Sequence, residues 1–308
     1  MTAVTLRLDD VDIRIDGRGL RTARLRDEYY VDLPDPESLL GALRQRRPGV
    51  DVFTFVQTFD QPYPRHAWRM TWDEMAVLPV TTFDTWFDKQ IKFKPRNKLR
   101  KAWKSGVQTS TQPFGDTLVN TIRHIYDESP LRQGKRNRHY GKDLETLRRE
   151  HESFLERSEF VVAQAGGEPI GFAKLVHGEQ VSVIMNIVAL VSQRDKAPTN
   201  ALIAKCVELT AARGIPRLNY GIWGRRGLNE FKVANAFECV AVPRFHVPLT
   251  RFGEWALALG MHRGLKERLP ERWIVPLADG RAAWNQWWYT RLAALRGTRP
   301  AAPVETET

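Results

Sequence analysis

Two hydrophobic periods divide the chain. Near the start, Thr5-Leu6-Arg7-Leu8 and Val11-Asp12-Ile13-Arg14-Ile15 alternate apolar and polar positions, which predicts two strands, with Asp16-Gly17 as a turn. Residues 36–46 follow a helical pattern with Asp35 placed as N-cap. Residues 52–57 and 68–77 read as further strands, so the first 90 residues predict a small α+β unit. From Phe114 the pattern sharpens. Residues 115–128 and 143–156 read as helices around a breaker-rich loop, residues 129–142. Strand-like runs follow at 160–165, 169–176 and 180–191, separated by Gly166-Gly167 and Gly178-Glu179, which predicts a meander. Residues 198–213 form a helix begun by Pro198 and closed by Gly214, with Leu202, Ile203, Cys206, Val207, Leu209 and Ala212 as a wide apolar face. A strand at 217–223, a short helix at 227–235 and a strand pair or one bent strand at 239–249 complete the order.

Composition removes several classes of function. The longest apolar run, residues 183–191, is interrupted by Asn186 and falls short of the about 20 residues that span a bilayer. The start MTAVTLRLDD carries charges where a signal peptide has its apolar stretch, so a cytoplasmic protein without a transmembrane segment is expected. Cys206 and Cys239 are the only cysteines, which leaves no disulfide framework and no cysteine zinc knuckle, and no metal site is expected. No GxSxG elbow occurs. His151-Glu152 opens like HExxH, but Leu155 stands where the second His belongs.

Charge changes the picture further. Lys and Arg number 47 against 36 Asp and Glu, a formal charge of +11, which calls for anionic partners: nucleic acid, phosphorylated ligands or a lipid surface. Eight of those charges (Lys89, Lys92, Lys94, Arg96, Lys98, Arg100, Lys101, Lys104) lie in one stretch without an acidic residue. Pro95 fits the first position of a helix there, Gly106 its stop, and Leu99, Ala102 and Trp103 its apolar stripe. A solvated helix usually mixes charge signs, so a phosphate-contacting arm stands beside the plainer reading of a solvated face.

These residues also carry a family resemblance. The run Arg96-Asn97-Lys98-Leu99-Arg100-Lys101-Ala102-Trp103-Lys104-Ser105-Gly106-Val107 resembles the basic segment of Fem-type aminoacyltransferases. Ala211-Ala212-Arg213-Gly214 and the strand through Leu218, Asn219, Tyr220 and Gly221 are similar to a second element of those proteins, with Asn219 where they often carry Asp. Gly227-Leu228-Asn229-Glu230-Phe231-Lys232 resembles a third, and the three together span roughly residues 89–250. The resemblance implies an α+β, GNAT-like fold: a mixed, mostly antiparallel sheet flanked by helices. The N-terminal stretch would be the degenerate first unit of a double-GNAT arrangement. The expected division is residues 1–106 as that N-terminal region ending in the basic helix, 107–250 as the acyltransferase domain, 251–296 as a helical extension and 297–308 as a disordered tail.

What the resemblance implies for chemistry is an N-acyltransferase acting on an amine of a phosphorylated or lipid-linked cell-envelope or glycan precursor. Its co-substrate is acyl-CoA or aminoacyl-tRNA, with no tightly bound cofactor, and tRNA is a partner in the second case. The donor loop is residues 192–200, where Arg194, Lys196, Thr199 and Asn200 are the candidate phosphate contacts; the glycines of an acetyl-CoA loop are missing, since none occurs between Gly178 and Gly214. Lys232 is the candidate oxyanion stabiliser, against the plainer reading of a surface lysine. Tyr220, His139, Tyr140 and Glu238 are candidates for the base by residue type, and Arg132, Tyr140 and Arg100 for gripping the acceptor. Neither cysteine has an adjacent His to activate it, which favours direct attack over a covalent intermediate. Trp284, Trp287, Trp288 and Tyr289 among Arg281, Arg291 and Arg296 suit peripheral contact with the inner membrane face, and equally a helix packed on the core. The alternatives are an acetyl-CoA-dependent GNAT enzyme acting on a small molecule or sugar, and a non-enzymatic nucleic-acid-binding module.

Overall fold

The computed structural model describes residues 4–8, 11–30, 33, 35–46, 49–57, 63–132, 135–224, 227–262, 284, 287 and 291. The expectations for residues 263–283, Trp288, Tyr289 and the tail 297–308 lie outside them.

The elements largely follow the periods of the sequence. Strands β1 (Val4–Leu8) and β2 (Val11–Asp16) pair antiparallel with Leu6 opposite Ile13. Gly17 turns the chain at φ +103°, where a Cβ would lie 2.0 Å from the Leu20 carbonyl oxygen. β3 (Thr22–Leu25), unread in the sequence, alternates buried Ala23 and Leu25. Helix α1 (Pro36–Arg46) begins where Asp35 accepts the Glu37 N–H at 3.1 Å. β4 (Val52–Val56), β5 (Arg69–Pro79) and the single turn α2 (Phe83–Thr85) come next; α2 runs on through a wide turn, Trp86–Gln90. The basic helix α3 (Phe93–Lys104) starts two residues ahead of Pro95, which still sits in the first turn, where its missing N–H costs no bond. β6 (Val107–Gln112), α4 (Asp116–Tyr126), the small hairpin β7 (Leu131–Arg132) and β8 (Lys135–Arg136), and α5 (Leu144–His151) lead into the meander. The meander is β9 (Ser158–Ala165), β10 (Glu168–His177) and β11 (Ser182–Ala189). Then come α6 (Pro198–Ala212), β12 (Arg217–Ile222), α7 (Gly227–Ala234), β13 (Glu238–Pro248) and α8 (Arg251–Ala258).

Two departures have identifiable causes. The helix expected over 143–156 ends at His151, because buried Lys174 takes the carbonyls of His151 (2.8 Å) and Ser153 (2.5 Å) with its ammonium, and Phe154 turns left-handed at φ +57°. The 239–249 segment is one strand, although Pro243 argues against a central position. The Pro243 carbonyl still accepts the Gln57 N–H at 3.0 Å, and β13 pairs with β4 on one side and β5 on the other.

The chain divides into two compact units. The first comprises Met1–Lys98, Leu175–Met185 and Ala204–Arg263. Its strands run in the order β1-β2-β3-β4-β13-β5-β12, with the start of β11 beside β12. One face carries the core of Leu39, Leu40, Leu43, Phe53, Phe55 and Phe245. On the other face Arg244 donates to both Glu28 oxygens (2.8 and 2.9 Å) and to Asp73 (2.8 Å), beside an apolar group of Val56, Met75, Val77 and Val242.

The second unit comprises Leu99–Lys174, Asn186–Ile203 and Gly264–Thr308. Here β6 pairs antiparallel with β9 from Val107–Ala165 to Gln112–Phe160, and β10 follows β9. Helix α4 buries Leu118, Val119, Ile122, Ile125 and Tyr126. His151, only 2% exposed, packs edge-on against Phe172. Burial, and then the Lys174 charge, hold its imidazole down to about 4, against an ordinary 6.5.

That depression has a signed consequence. Below about pH 6.5 the unfolded chain protonates His151 while the folded chain does not, so stability is full above that pH and falls as pH drops towards 4. The loss should reach about 1.4 kcal/mol per pH unit from this residue. Melting temperatures between pH 7 and 5 should fall less steeply for His151→Phe than for the wild type; equal slopes would show that His151 does not carry the effect.

Candidate active site

Helix α7 is short, and its end is built to hold one side chain. The Ala236 N–H reaches the Val233 carbonyl (3.1 Å) and the Phe237 N–H reaches the Lys232 carbonyl (3.0 Å), the two bonds of a Schellman cap. Ala236 takes the left-handed turn at φ +68° that glycine usually supplies. Phe237 is buried behind it, 5.6 Å from the Tyr220 ring. The buried Trp86 indole donates to the Asn235 carbonyl (3.1 Å), and the Lys92 N–H to the Ala234 carbonyl (2.9 Å). The last turn is thereby fixed from two directions.

Lys232 lies on that turn and is only 2% exposed, which excludes the reading of a surface lysine. Its Nζ donates to the Ile222 carbonyl at 2.7 Å, its one hydrogen-bond acceptor among the described residues, and sits 5.0 Å from the centre of the Tyr220 ring. Burial lowers its pKa from the ordinary lysine value. The carbonyl is presented by a bulge in β12. Asn219 pairs with Val77 of β5 and Ile222 with Met75, so three steps along β12 match two along β5. Gly221 supplies the bulge's φ of +70°. Tyr220, in the same bulge, has its phenol pushed up to about 12 by burial and stays neutral. The structure thus brings Lys232 and Tyr220 together. Glu238 is exposed at the start of β13.

The other expected residues lie in the second unit. The loop expected to meet the donor is a 3₁₀ stretch, Val191–Lys196, followed by Ala197 at φ +52° and then α6. Counting from Arg194, Ala197 holds the place of the first glycine in an acetyl-CoA loop and keeps its left-handed backbone while carrying a Cβ. Arg194 is exposed, Lys196 and Thr199 are half-buried, and Asn200 is buried with its N–H on the Ala197 carbonyl. One contact was not legible in the sequence. Glu128 accepts the N–H groups of Val191 (2.7 Å) and Ser192 (2.8 Å) and the Ser192 hydroxyl (2.8 Å). An internal carboxylate therefore occupies the first free backbone donors of this loop.

Arg132 is engaged within the same unit, donating to the carbonyls of Ala189 and Ile125 (both 2.9 Å) and to Glu128 (3.2 Å). His139 stacks on Tyr126 at 4.4 Å. Burial, then Lys142 and Arg138, lower its pKa to about 4, so it is neutral at pH 7 and a weak base. Tyr140 and Arg100 are exposed. Helix α3 buries Leu99 and Ala102 and presents Lys94, Lys98, Arg100, Lys101 and Lys104 to solvent. Among the described residues no group of three or more His, Cys, Asp or Glu side chains could hold a metal ion. No helix among them is long and apolar enough to cross a membrane.

The sequence matches no family model, and no curated protein matches it. The folded chain is similar to several solved structures. The C-terminal domain of a putative lysylphosphatidylglycerol synthetase from Agrobacterium fabrum aligns with a TM-score of 0.56 at 15% identity, covering 83% of this chain and 87% of that one. L-PGS from Bacillus licheniformis aligns at 0.52 and 15% identity, covering 81% and 85%. FemX aligns at 0.50 and 9% identity, covering 79% and 87%. At such identities the likeness is one of fold. The α+β, GNAT-like architecture and the resemblance to Fem-type proteins expected from the sequence are both met there.

The strained cap offers a direct check on how α7 is held. Ala236→Gly removes a Cβ that costs about 1–2 kcal/mol in the left-handed region, against about 0.5–1 kcal/mol of added unfolded-chain entropy. Its melting temperature should rise by about 2 °C. Ala234→Gly, inside the same helix, should lower it. A fall in both would refute the cap.

Proposed function

We propose that this chain is an acyltransferase that moves an acyl or aminoacyl group to an amine of a phosphorylated or lipid-linked envelope precursor. The observation that carries the reading is the buried ammonium of Lys232, held by one carbonyl in a fold shared with FemX and a lysylphosphatidylglycerol synthetase domain. A desolvated cation with N–H groups to spare is the group that acyl transfer requires where charge develops on the carbonyl oxygen. The acceptor nitrogen attacks the acyl carbon and Lys232 donates to the oxyanion; as the tetrahedral adduct collapses, the bond to the leaving oxygen or sulfur breaks and the proton lost by the nitrogen passes to that atom. Tyr220, neutral beneath the ammonium, is a hydrogen-bond donor beside it and not a charged base.

Aminoacyl-tRNA is the donor we favour. Ala197 stands in a glycine place, and Glu128 already fills the backbone donors of Val191 and Ser192, both of which work against a pyrophosphate on this loop. Arg194, Lys196, Thr199 and Asn200 are assigned to the donor, and Tyr140 and Arg100 to the acceptor. Arg132 contributes its charge, since its N–H groups hold carbonyls and Glu128. The name of the Agrobacterium neighbour joins a lysyl group to phosphatidylglycerol, a lipid that offers hydroxyls and no amine, so it supports the aminoacyl and lipid-linked parts of the reading and not the amine.

Lys232→Met keeps the hydrocarbon stem and removes the charge. With charged tRNA as donor and labelled amino acid traced into the lipid and envelope-precursor fractions, turnover should fall by tenfold or more. Full activity in that variant would refute the catalytic assignment. Tight CoA binding by calorimetry would move the donor to acyl-CoA.

A further inference from the structure

One buried side chain that the reaction as drawn does not use has both of its polar atoms unpaired among the described residues. Asn219 is 0% exposed, and neither its Oδ1 nor its Nδ2 has a hydrogen-bond partner among the described residues. Two other buried asparagines are paired. Asn137 donates to the carbonyls of Tyr126 (2.9 Å) and Ser129 (3.0 Å) and accepts the His139 N–H (3.1 Å); Asn235 donates to the Phe231 carbonyl at 2.8 Å. A buried amide with both ends unpaired is uncommon, because each end gives up its water without return.

Its position makes the orphan informative. β11 and β12 run parallel over only two rungs, Ser182–Leu218 and Val183–Asn219. Asn219 holds the last of these, Met185 two residues further along β11 is already only partly buried, and the β12 bulge begins at the next residue. That bulge presents the Ile222 carbonyl to Lys232. The amide therefore stands at the point where the two strands stop pairing, three residues from the carbonyl that holds the proposed oxyanion donor.

A primary amide offers one acceptor and one donor side by side. An acetyl or other plain acyl group brings only a carbonyl oxygen, which would satisfy Nδ2 and leave Oδ1 bare. An aminoacyl group brings both complements, an α-amino N–H for Oδ1 and a carbonyl oxygen for Nδ2. We propose that Asn219 is the residue that recognises the α-amino group of an aminoacyl donor and so selects aminoacyl over simple acyl substrates. The proposal rests on the acyl-transfer reading of the Lys232 site and narrows it to one donor class. It makes Asn219 a specificity residue, and Lys232 keeps the chemical step.

The experiment compares wild type and Asn219→Leu, a near-isosteric apolar change. A panel of amino-acid amides and their des-amino counterparts serves as probes, with dissociation constants from ligand-observed NMR. At least one amino-acid amide should bind wild type about tenfold tighter than its des-amino partner, a discrimination of about 1.4 kcal/mol. In Asn219→Leu that preference should fall below about threefold. Without ligand, Asn219→Leu should melt at the same or a higher temperature, since it removes an unpaired buried amide. The inference is overturned by a preference that survives the substitution, by no preference in wild type, or by a variant that melts lower or fails to fold, which would give the amide a structural partner. Transfer from charged tRNA, measured in parallel, separates the two readings. Transfer without amino preference overturns only the role of Asn219, whereas amino preference without any transfer overturns the acyltransferase reading.

Discussion

Everything in the candidate site depends on how one ammonium is carried out of water. An isolated cation in an apolar interior is costly unless a fixed acceptor meets it. The Ile222 carbonyl is that acceptor, and it lies just past the bulge at Tyr220 and Gly221, where the register of β12 against β5 shifts. The bulge in turn needs a residue at φ +70°, which Gly221 supplies without strain. On the other side, Lys232 reaches the carbonyl because α7 stops within one turn, capped through Ala236 and pinned by the Trp86 indole. Strand irregularity, helix cap and tryptophan all serve a single 2.7 Å contact.

The buried polar groups of this protein divide by whether they are satisfied. Arg244 with Glu28 and Asp73 is a closed network in which each charge has a partner, as a structural ion cluster requires. Lys174 closes the end of α5 in the same way. Glu128 fills the backbone donors of Val191 and Ser192. Asn219 is unsatisfied at both ends among the described residues. Single buried atoms such as Gln90 Oε1 and His151 Nδ1 also lack a partner among the described residues, but Asn219 has both polar atoms of one side chain unpaired, which a polar ligand could complete.

Legibility followed the range of the interaction. Helix α1 was readable to its ends because Asp35, Pro36 and the apolar spacing act within a few residues. The α6 stop at Gly214 and the turn at Gly166-Gly167 were readable for the same reason, since each needs a positive φ that glycine supplies locally. The end of α5 was not readable, since Lys174 lies more than twenty residues along the chain from the carbonyls it binds. The single strand β13 was obscured by Pro243, whose local preference is overridden by pairing on both sides. In the site, Lys232 was singled out from the resemblance of residues 227–232, against the plainer reading of a surface lysine. In the fold Phe231 is half-buried and Lys232 is the buried member.

The sequence by itself determined most of the order of strands and helices, the concentration of positive charge on α3, the lack of a disulfide framework and of a GxSxG elbow, and the short list that contained Lys232. These rest on composition and on contacts between near neighbours, which a linear pattern records. Only the tertiary structure decided that Lys232 is buried, that His139 is held neutral, that Arg132 is committed to the Ile125 and Ala189 carbonyls and Glu128 to Val191 and Ser192, and that Asn219 is unpaired among the described residues. Each of these depends on which distant groups share a small volume from which water is excluded, and the free energy of a charge or an amide is set there by its partners and not by its place in the chain.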